Sequence, residues 1–281
     1  MRRAVALFVE DRGNLILQSH CLYQSWRHIG AEDTDLVFMG PRAALDRLPD
    51  DVVKIVQSPT TDNPQWLGYN YVNSVACLAH PSAAVLEDYD AVLRADVDTF
   101  LTPAWHRFRP EGLFSGLGAY CHDDATAENL RRIAHRHGYT HRGVTNVGST
   151  LYGPPRLIRD ICRLATELTF DIRTVEFKDH PGVWPGWYGG VSLLYGTEIA
   201  VNHLDSSFSV PREYLLDYPS DSPGPTEDRP HLHCWHTDKT FSKFVFAAGG
   251  YDDVDEASLD LGVIHDYCLA MALRARRGGH S

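Results

Sequence analysis

Short apolar runs alternate with segments of helical spacing along the first hundred residues. The apolar runs predict strands at residues 4–9, 33–40 and 52–58 and a fourth strand ending at Asp96. The segments between them predict helices at residues 14–29, 41–49 and 68–80. This alternation favours an α/β fold, with a Rossmann-like, mostly parallel sheet and helices on both faces.

The second half of the chain has a less regular pattern. Residues 113–120 and 143–153 resemble strands, residues 125–137 and 155–169 resemble helices, and residues 190–204 return to regular structure. Residues 217–230 are rich in proline, serine and acidic side chains. Such a composition disfavours packing, so we predict a flexible segment that closes as a lid when ligand binds, with an ordinary disordered surface loop as the alternative. The chain is then expected to run through residues 231–246 to a final helix at residues 259–274.

Charge and cysteine content narrow the class of protein. The chain has 281 residues and a formal net charge of −11, which argues against a nucleic-acid partner because no basic surplus can displace counterions. No apolar stretch reaches the length of a membrane span, and the apolar run near the N-terminus is too short for a signal peptide. The six cysteines form no CxxC pair. Reduced thiols and a cytoplasmic location are therefore expected.

Two carboxylates, Asp96 and Asp98, lie at the end of the fourth predicted strand, at the sheet edge where ligands of such folds bind. Alternate residues of a strand share a face, so Arg94, Asp96 and Asp98 should project together. Adjacent carboxylates are costly without a cation between them. Three interpretations remain open: a solvated turn, a phosphatase or phosphotransferase of the haloacid-dehalogenase type with Asp96 as nucleophile, or a divalent-metal site that holds a diphosphate.

A second motif lies far downstream, in the segment "HCWHTDKTF" that begins at His233. With the DxD after the fourth strand, it resembles the GT-A glycosyltransferases, nearest to the retaining glycogenin and bacterial galactosyltransferase type. Those enzymes carry the signature H-x-x-G-x-x-K-P-W. Here His233 and Lys239 have the matching spacing, whereas His236, Thr240 and Phe241 replace the Gly, Pro and Trp of the signature.

The resemblance implies a fold, a cofactor and residue roles. It implies a GT-A fold with a smaller acceptor-side subdomain, and Mn²⁺ or Mg²⁺ held by Asp96, Asp98 and His233. Asp98 would be the main ligand, Asp96 would also approach the donor, and Lys239 would contact the donor diphosphate and serve catalysis. Arg94 would contact the donor or form a salt bridge with Asp96. The donor would be a nucleotide-diphosphate sugar, with a UDP-sugar favoured, and transfer would retain configuration.

The same resemblance locates the nucleotide near the end of the first strand. Phe8, Val9 and Glu10 would flank the base, although core packing explains the first two equally well. Asn73 lies on the helix before the DxD strand, where relatives often place a basic donor contact. We therefore include it among the candidate donor-binding residues.

The acceptor side has no clear motif. The segment of residues 196–204 offers Glu198, Asn202 and His203, of which Glu198 and Asn202 are taken as candidate catalytic residues. Trp184, Trp187 and Tyr188 lie in a loop rich in proline and glycine and could stack on sugar rings. Packing anchors are an equally good interpretation of these aromatic side chains.

The cluster of His231, His233, Cys234 and His236 also permits a zinc interpretation, although alternate spacing is atypical of structural zinc sites. A zinc module would leave Asp96 and Asp98 unexplained.

The sequence therefore predicts a metal-dependent glycosyltransferase built as one continuous catalytic domain. Residues 1–103 would form its nucleotide-sugar-binding half, and residues 104–281 its acceptor-side half. A phosphatase and a non-catalytic module that binds a sugar nucleotide or zinc are the alternatives. Its partners would be the sugar donor and a glycan or small-molecule acceptor. The sequence leaves open whether the chain forms a homo-oligomer.

Overall fold

The computed structural model describes residues 1–235 and 240–278. The strands are β1 (Arg3–Phe8), β2 (Thr34–Gly40), β3 (Val53–Val56), β4 (Ala91–Arg94), β5 (Thr99–Leu101), β6 (Phe114–Leu117), β7 (Val147–Gly153), β8 (Tyr218–Pro219) and β9 (His231–His233). The helices are α1 (Gly13–Ile29), α2 (Arg42–Leu45), α3 (Asn73–Ala79), α4 (Asp124–Arg136), α5 (Pro155–Asp171), α6 (Ser192–Leu204), α7 (Lys243–Ala247) and α8 (Ile264–Gly278).

The chain folds into two compact units, each named here by its first strand. The β1 unit comprises Arg2–Gln57, Ala95–Arg109 and Glu213–Ser281. The β4 unit comprises Met1, Ser58–Arg94 and Pro110–Arg212.

The β1 unit contains three strands of a six-stranded sheet and the whole of a second, three-stranded sheet. In the first, β1 pairs in parallel with β2, and β2 pairs in parallel with β3. Parallel neighbours need a crossover connection, which α1 supplies between β1 and β2. In the second sheet β9 lies between β5 and β8, antiparallel to β5 and parallel to β8. This second sheet positions the candidate site.

A hydrophobic core surrounds α8 in the β1 unit. Phe100 of β5, Leu232 of β9 and Phe246 of α7 are buried in one cluster with the apolar residues of α8. Burial of such side chains stabilises the fold by roughly 1.5–3 kcal/mol each. This packing fixes β5 and β9, and with them Asp98 directly before β5 and His233 at the end of β9.

In the β4 unit, β7 lies between β4 and β6 and is antiparallel to both. Helices α5 and α6 pack together closely where α6 carries Gly196. A Cβ atom at this position would lie 2.7 Å from Thr169 Oγ1 and 2.8 Å from the Ala165 carbonyl oxygen. Only glycine therefore permits this approach without displacement of α5.

The predicted α/β fold is confirmed, with parallel strands joined by crossover helices in the β1 unit. The fourth strand ends at Arg94, two residues earlier than predicted. The two units draw on segments from the whole chain and follow a different division from the predicted halves, residues 1–103 and 104–281. Those halves were defined by function and stay a prediction.

The segment of residues 217–230 differs from its prediction as a flexible loop. Its first residues form β8, the Thr226 amide donates a hydrogen bond to the Gly262 carbonyl, and Ser220 is buried. The proline residues fit here because the segment follows turns and pairs only briefly. Contacts within the β1 unit therefore hold parts of this segment in place, and its closure on ligand binding stays a prediction.

Candidate metal centre

Asp96 and Asp98 lie in the short connection between β4 and β5. The Thr99 hydroxyl donates a hydrogen bond to the Asp96 carbonyl at 2.8 Å, which tightens this connection. Since the strand has already ended, the predicted alternation of side chains along it does not extend to the two carboxylates. The backbone of the connection between β4 and β5 therefore sets the orientation of the Asp96 and Asp98 carboxylates.

The pairing of β5 with β9 brings His233 to the same place. Thr99 and His233 are register partners, and the Cys234 amide donates a hydrogen bond to the Asp98 carbonyl at 2.9 Å. Register is exact in a paired strand, so the backbone fixes which side chain of β9 meets Asp98.

Asp96, Asp98 and His233 form a compact group of potential ligands. One ligand atom from each residue lies within 4.8 Å of the other two, and all three side chains are partly exposed. The separation between His233 Nε2 and Asp98 Oδ1 is 3.3 Å. The structure therefore brings together the three metal ligands that the sequence predicts.

Lys243, at the start of α7, adds a fourth charged group. Its ammonium forms a salt bridge with Asp98 Oδ2 and donates a hydrogen bond to the Cys234 carbonyl at 2.9 Å. A lysine in the first turn of a helix is disfavoured by the helix dipole. The carboxylate of Asp98 offsets that cost.

These charges shift the ionisation of the cluster. Burial alone would raise the pKa of Asp98, but His233 and Lys243 outweigh burial and hold that pKa well below its usual range. Burial would lower the pKa of His233, yet the carboxylates of Asp98 and Asp217 raise it well above its usual value. Asp98 is therefore an anion at neutral pH and a ready partner for a cation.

Two carboxylates and one imidazole are a donor set that suits a divalent cation with open coordination positions. Carboxylate oxygens are the preferred ligands of Mn²⁺ and Mg²⁺, and imidazole is acceptable to Mn²⁺. The residues present therefore fit the predicted cofactor.

The zinc interpretation finds less support among the same strands. His231 is completely buried, and its Nδ1 accepts a hydrogen bond from the Asp217 amide. Cys234 is also buried, and burial, with the nearby charge of Asp98, raises the pKa of its thiol to about 12. His236 lies outside the described residues.

The predicted nucleotide-flanking residues lie where β1 ends. Phe8 and Val9 are buried, and the Val9 amide donates a hydrogen bond to the Met39 carbonyl. Glu10 is partly buried, with Arg12 3.8 Å from its carboxylate. Their role in base recognition stays a prediction.

Arg94 and Asn73 make contacts inside the β4 unit. The buried guanidinium of Arg94 donates hydrogen bonds to the Ser149 carbonyl and to Ser74. Asn73 exchanges hydrogen bonds with Thr61, accepting from its amide and donating to its hydroxyl. Both side chains thus have structural partners, and their donor-binding roles stay predictions.

Glu198 and Asn202 are also buried in the β4 unit, on α6. The Glu198 carboxylate accepts hydrogen bonds from the Tyr120 hydroxyl at 2.8 Å and the Asn146 amide at 2.7 Å. Asn202 accepts from the Arg142 amide at 2.9 Å. These contacts hold the segment before β7 against α6, and the predicted catalytic role of both residues stays untested.

The aromatic loop of residues 184–188 in the β4 unit contains both a packing anchor and an exposed ring that is free to stack on a sugar. Trp187 stacks on Tyr195 at 4.5 Å between ring centroids and packs at 4.9 Å from Phe177, as a packing anchor does. Trp184 is half exposed and meets His122 edge-on at 5.5 Å. Its exposed ring remains a candidate acceptor contact.

Sequence reasoning missed two residues of the site and named one that the structure does not describe. Lys239, the predicted diphosphate contact, lies outside the described residues. Lys243 is absent from the predicted site. The sequence signal for it is a lysine directly after the N-cap Ser242, where the helix dipole disfavours a positive charge. Asp217 was overlooked because its acidic, proline-rich surroundings were interpreted as a flexible loop.

Comparison with known proteins gives one family match and several structural similarities. The family described as "Domain of unknown function (DUF7164)" matches residues 7–277. No curated protein matches the sequence.

Solved structures that resemble this chain include the galactosyltransferase LgtC in complex with donor and acceptor sugar analogues, at 15% identity and a TM-score of 0.48, over 92% of this chain and 98% of LgtC. An active-site mutant of LgtC gives 12% identity and a TM-score of 0.48, over 85% and 89% of the two chains. The bifunctional glycosyltransferase WbbM in its apo form gives 10% identity and a TM-score of 0.45, over 85% of this chain and 46% of WbbM.

The cluster of Asp96, Asp98 and His233, which the resemblance to GT-A glycosyltransferases implies, is present in the structure. Across residues 1–235 and 240–278, every helix is too short or too polar to cross a membrane.

Proposed function

The chain belongs to the DUF7164 family, and we propose that it is a metal-dependent glycosyltransferase that uses a nucleotide-diphosphate sugar as donor. The observation that carries this proposal is the cluster of Asp96, Asp98 and His233. Its residues come from two segments far apart in sequence, and the pairing of β5 with β9 places them together. A solvated turn would not need a histidine at this position.

Four residues of the candidate metal centre have defined roles in the proposed reaction. Asp96, Asp98 and His233 would hold Mn²⁺ or Mg²⁺, which when bound supplies a Lewis acid for the charge of a departing diphosphate. Asp98, kept ionised by its cationic neighbours, presents a carboxylate without a proton to remove. Lys243 keeps Asp98 in position and adds positive charge beside it.

Other parts of the proposal rest on the resemblance stated from the sequence. Lys239 would contact the diphosphate, and Phe8, Val9 and Glu10 would flank the base of a UDP-sugar. Retention of configuration and a glycan or small-molecule acceptor belong to the same resemblance. Glu198 and Asn202 would need to leave their internal hydrogen bonds before touching a substrate, so the proposed chemistry does not depend on them.

A thermal-shift experiment tests the proposed function. Nucleoside diphosphates are added with Mn²⁺ or with EDTA, and UDP is compared with ADP and GDP. A ligand at a hundredfold excess over its Kd stabilises the fold by about 2.7 kcal/mol. We expect this stabilisation with Mn²⁺ only, and its loss in Asp98→Ala.

The matched control is Asp228→Asn, which removes an exposed carboxylate from the same unit. Equal stabilisation with EDTA would contradict a metal-dependent donor site. Hydrolysis of simple phosphomonoesters that disappears in Asp96→Asn would instead support the phosphatase alternative.

A further inference from the structure

Asp217 lies immediately before β8, beside the candidate metal centre. Its side chain is buried, and its backbone adopts the left-handed conformation with φ of +59°. Residues other than glycine rarely adopt this conformation, and they retain it where surrounding contacts enforce it. The left-handed backbone and the buried side chain of Asp217 are therefore both held by its surroundings.

Both backbone groups of Asp217 bind the segment that carries His233. The amide donates a hydrogen bond to His231 Nδ1 at 3.1 Å, and the carbonyl accepts one from Trp235 Nε1 at 3.2 Å. These bonds come from residues on either side of His233. They hold the Asp217 backbone in register with β9.

The carboxylate of Asp217 has one suitable imidazole partner of the two nearby. Its Oδ1 lies 3.4 Å from His233 Nδ1 and 3.7 Å from His231 Nδ1. Because His231 Nδ1 accepts the Asp217 amide hydrogen, that nitrogen carries no proton to donate. The carboxylate is therefore directed at Nδ1 of His233.

The two nitrogens of His233 thus face different carboxylates. Nδ1 faces Asp217, whereas Nε2 faces Asp98 at 3.3 Å. Metal-binding histidines commonly donate the other ring N–H to a carboxylate, which fixes the tautomer and the ring orientation.

We propose that Asp217 is a positioning residue that holds His233 with Nδ1–H toward its own carboxylate and the Nε2 lone pair toward the metal. This inference rests on the metal site of the proposed function. The chain thereby supplies a carboxylate–histidine–metal relay whose outer member is 16 residues away from the ligand that it orients.

The left-handed backbone suggests which variants to make. Asn and Gly both tolerate this conformation, so Asp217→Asn and Asp217→Gly remove the charge or the whole side chain without backbone strain. The amide oxygen of Asn can still accept the His233 Nδ1–H. Glu213→Gln, which removes an exposed carboxylate nearby, is the matched control for net charge.

Mn²⁺ affinity, measured by the loss of the free-ion signal in electron paramagnetic resonance, is the first readout. We expect Asp217→Gly to weaken Mn²⁺ binding by about 10- to 100-fold, the usual effect of such outer partners. Asp217→Asn should lose less, and Glu213→Gln should bind as the unaltered protein does. Melting temperatures in EDTA identify any variant that fails to fold, and Asp217→Asn then carries the comparison.

The second readout is the NMR signal of the His233 imidazole N–H proton in the Co²⁺-loaded protein. If Asp217 had a purely structural role, its substitution would leave this signal unchanged. A paramagnetically shifted, slowly exchanging N–H signal is expected in the unaltered protein and in Glu213→Gln. In Asp217→Gly this proton should exchange rapidly with water, because its acceptor is gone.

The outcomes separate this inference from the proposed function. If His233→Ala abolishes Mn²⁺ binding while Asp217→Gly leaves both affinity and the N–H signal unchanged, Asp217 has no positioning role and the inference is overturned. If the unaltered protein binds no Mn²⁺ saturably, the proposed metal site is overturned, and this inference with it.

Discussion

Lys243 forms a salt bridge with Asp98, the same carboxylate that faces His233 across the candidate metal centre. Both partners of this salt bridge are largely buried, with 10% and 13% of their side chains exposed. A protein cation thus already occupies one oxygen of the proposed main metal ligand. Removal of the Lys243 ammonium is therefore expected to lower the stability of the metal-free protein and to raise its affinity for metal.

Lys243→Met should separate these two effects. Without the ammonium, buried Asp98 loses a partner, so the metal-free protein should lose about 1–3 kcal/mol of its free energy of unfolding. Mn²⁺ should bind more tightly, because a competing positive charge is gone. Urea unfolding in EDTA and Mn²⁺ titration measure the two quantities.

Lys54→Met is the control for Lys243→Met, since it breaks a salt bridge with the fully exposed Asp50 in the same unit. Lys243 has no electrostatic link to the site if both variants change Mn²⁺ affinity equally.

His233→Ala should weaken Mn²⁺ binding strongly, because it removes the only imidazole among the three candidate ligands. His231→Ala should affect binding less while lowering the melting temperature, since His231 is fully buried and bonded to Asp217. Calorimetric titration of each variant with Mn²⁺ checks the order. A larger loss in His231→Ala would show that the register between β5 and β9 does not select the ligand.

Acid stability should depend on Asp33. Burial would raise the pKa of this carboxyl, but its hydrogen bonds from Arg3 and Thr34 and the charge of Arg109 hold the pKa below its usual value. A lowered pKa in the folded state stabilises the fold at pH values above the ordinary pKa of about 4. That stabilisation is lost as pH falls through the lowered pKa.

In Asp33→Asn the free energy of unfolding should therefore fall less steeply below pH 4. At neutral pH the variant should lose roughly 1–3 kcal/mol, because the buried Arg3 guanidinium loses its anionic partner. Urea unfolding at a series of pH values measures both effects. Asp50→Asn, at a fully exposed position, should leave the profile unchanged, and the same flattening there would remove the specific role of Asp33.

Gly196→Ala should destabilise the β4 unit by about 1–3 kcal/mol, because its Cβ would meet Thr169 and the Ala165 carbonyl at less than 3 Å. Gly13→Ala is the matched control, since nothing lies within 4 Å of a Cβ there. Chemical unfolding compares the two. Equal stability of both variants would mean that α5 and α6 separate easily.

Glu198→Gln tests whether the predicted catalytic carboxylate is structural. Glu198 accepts hydrogen bonds from Tyr120 and Asn146 and lies 3.2 Å from His141. The amide cannot accept all of these bonds, so the free energy of unfolding should fall by about 1–3 kcal/mol. Mn²⁺ binding should be unchanged. A fully stable variant that binds metal but has lost sugar transfer would support the catalytic role.

Helices and strands were predictable from the sequence wherever they depend on the local spacing of apolar and polar residues. Helix α1 was predicted at residues 14–29 and begins at Gly13, and α5 was predicted from Pro155, where it begins. The chain between residues 217 and 230 was not predictable in this way. Its order comes from partners such as Gly262 and His231, which composition does not reveal.

The residues of the candidate site also differ in whether the sequence alone could identify them. Asp96, Asp98 and His233 could be named from the sequence because their residue types and spacing match a motif, and motif spacing is a property of the chain. Asp217 and Lys243 belong to no motif. They reach His233 and Asp98 only because β8 and β9 pair and α7 follows the same strand. Residue type thus determined which groups can hold a cation, whereas strand register, a long-range property of packing, decided which groups orient and neutralise them.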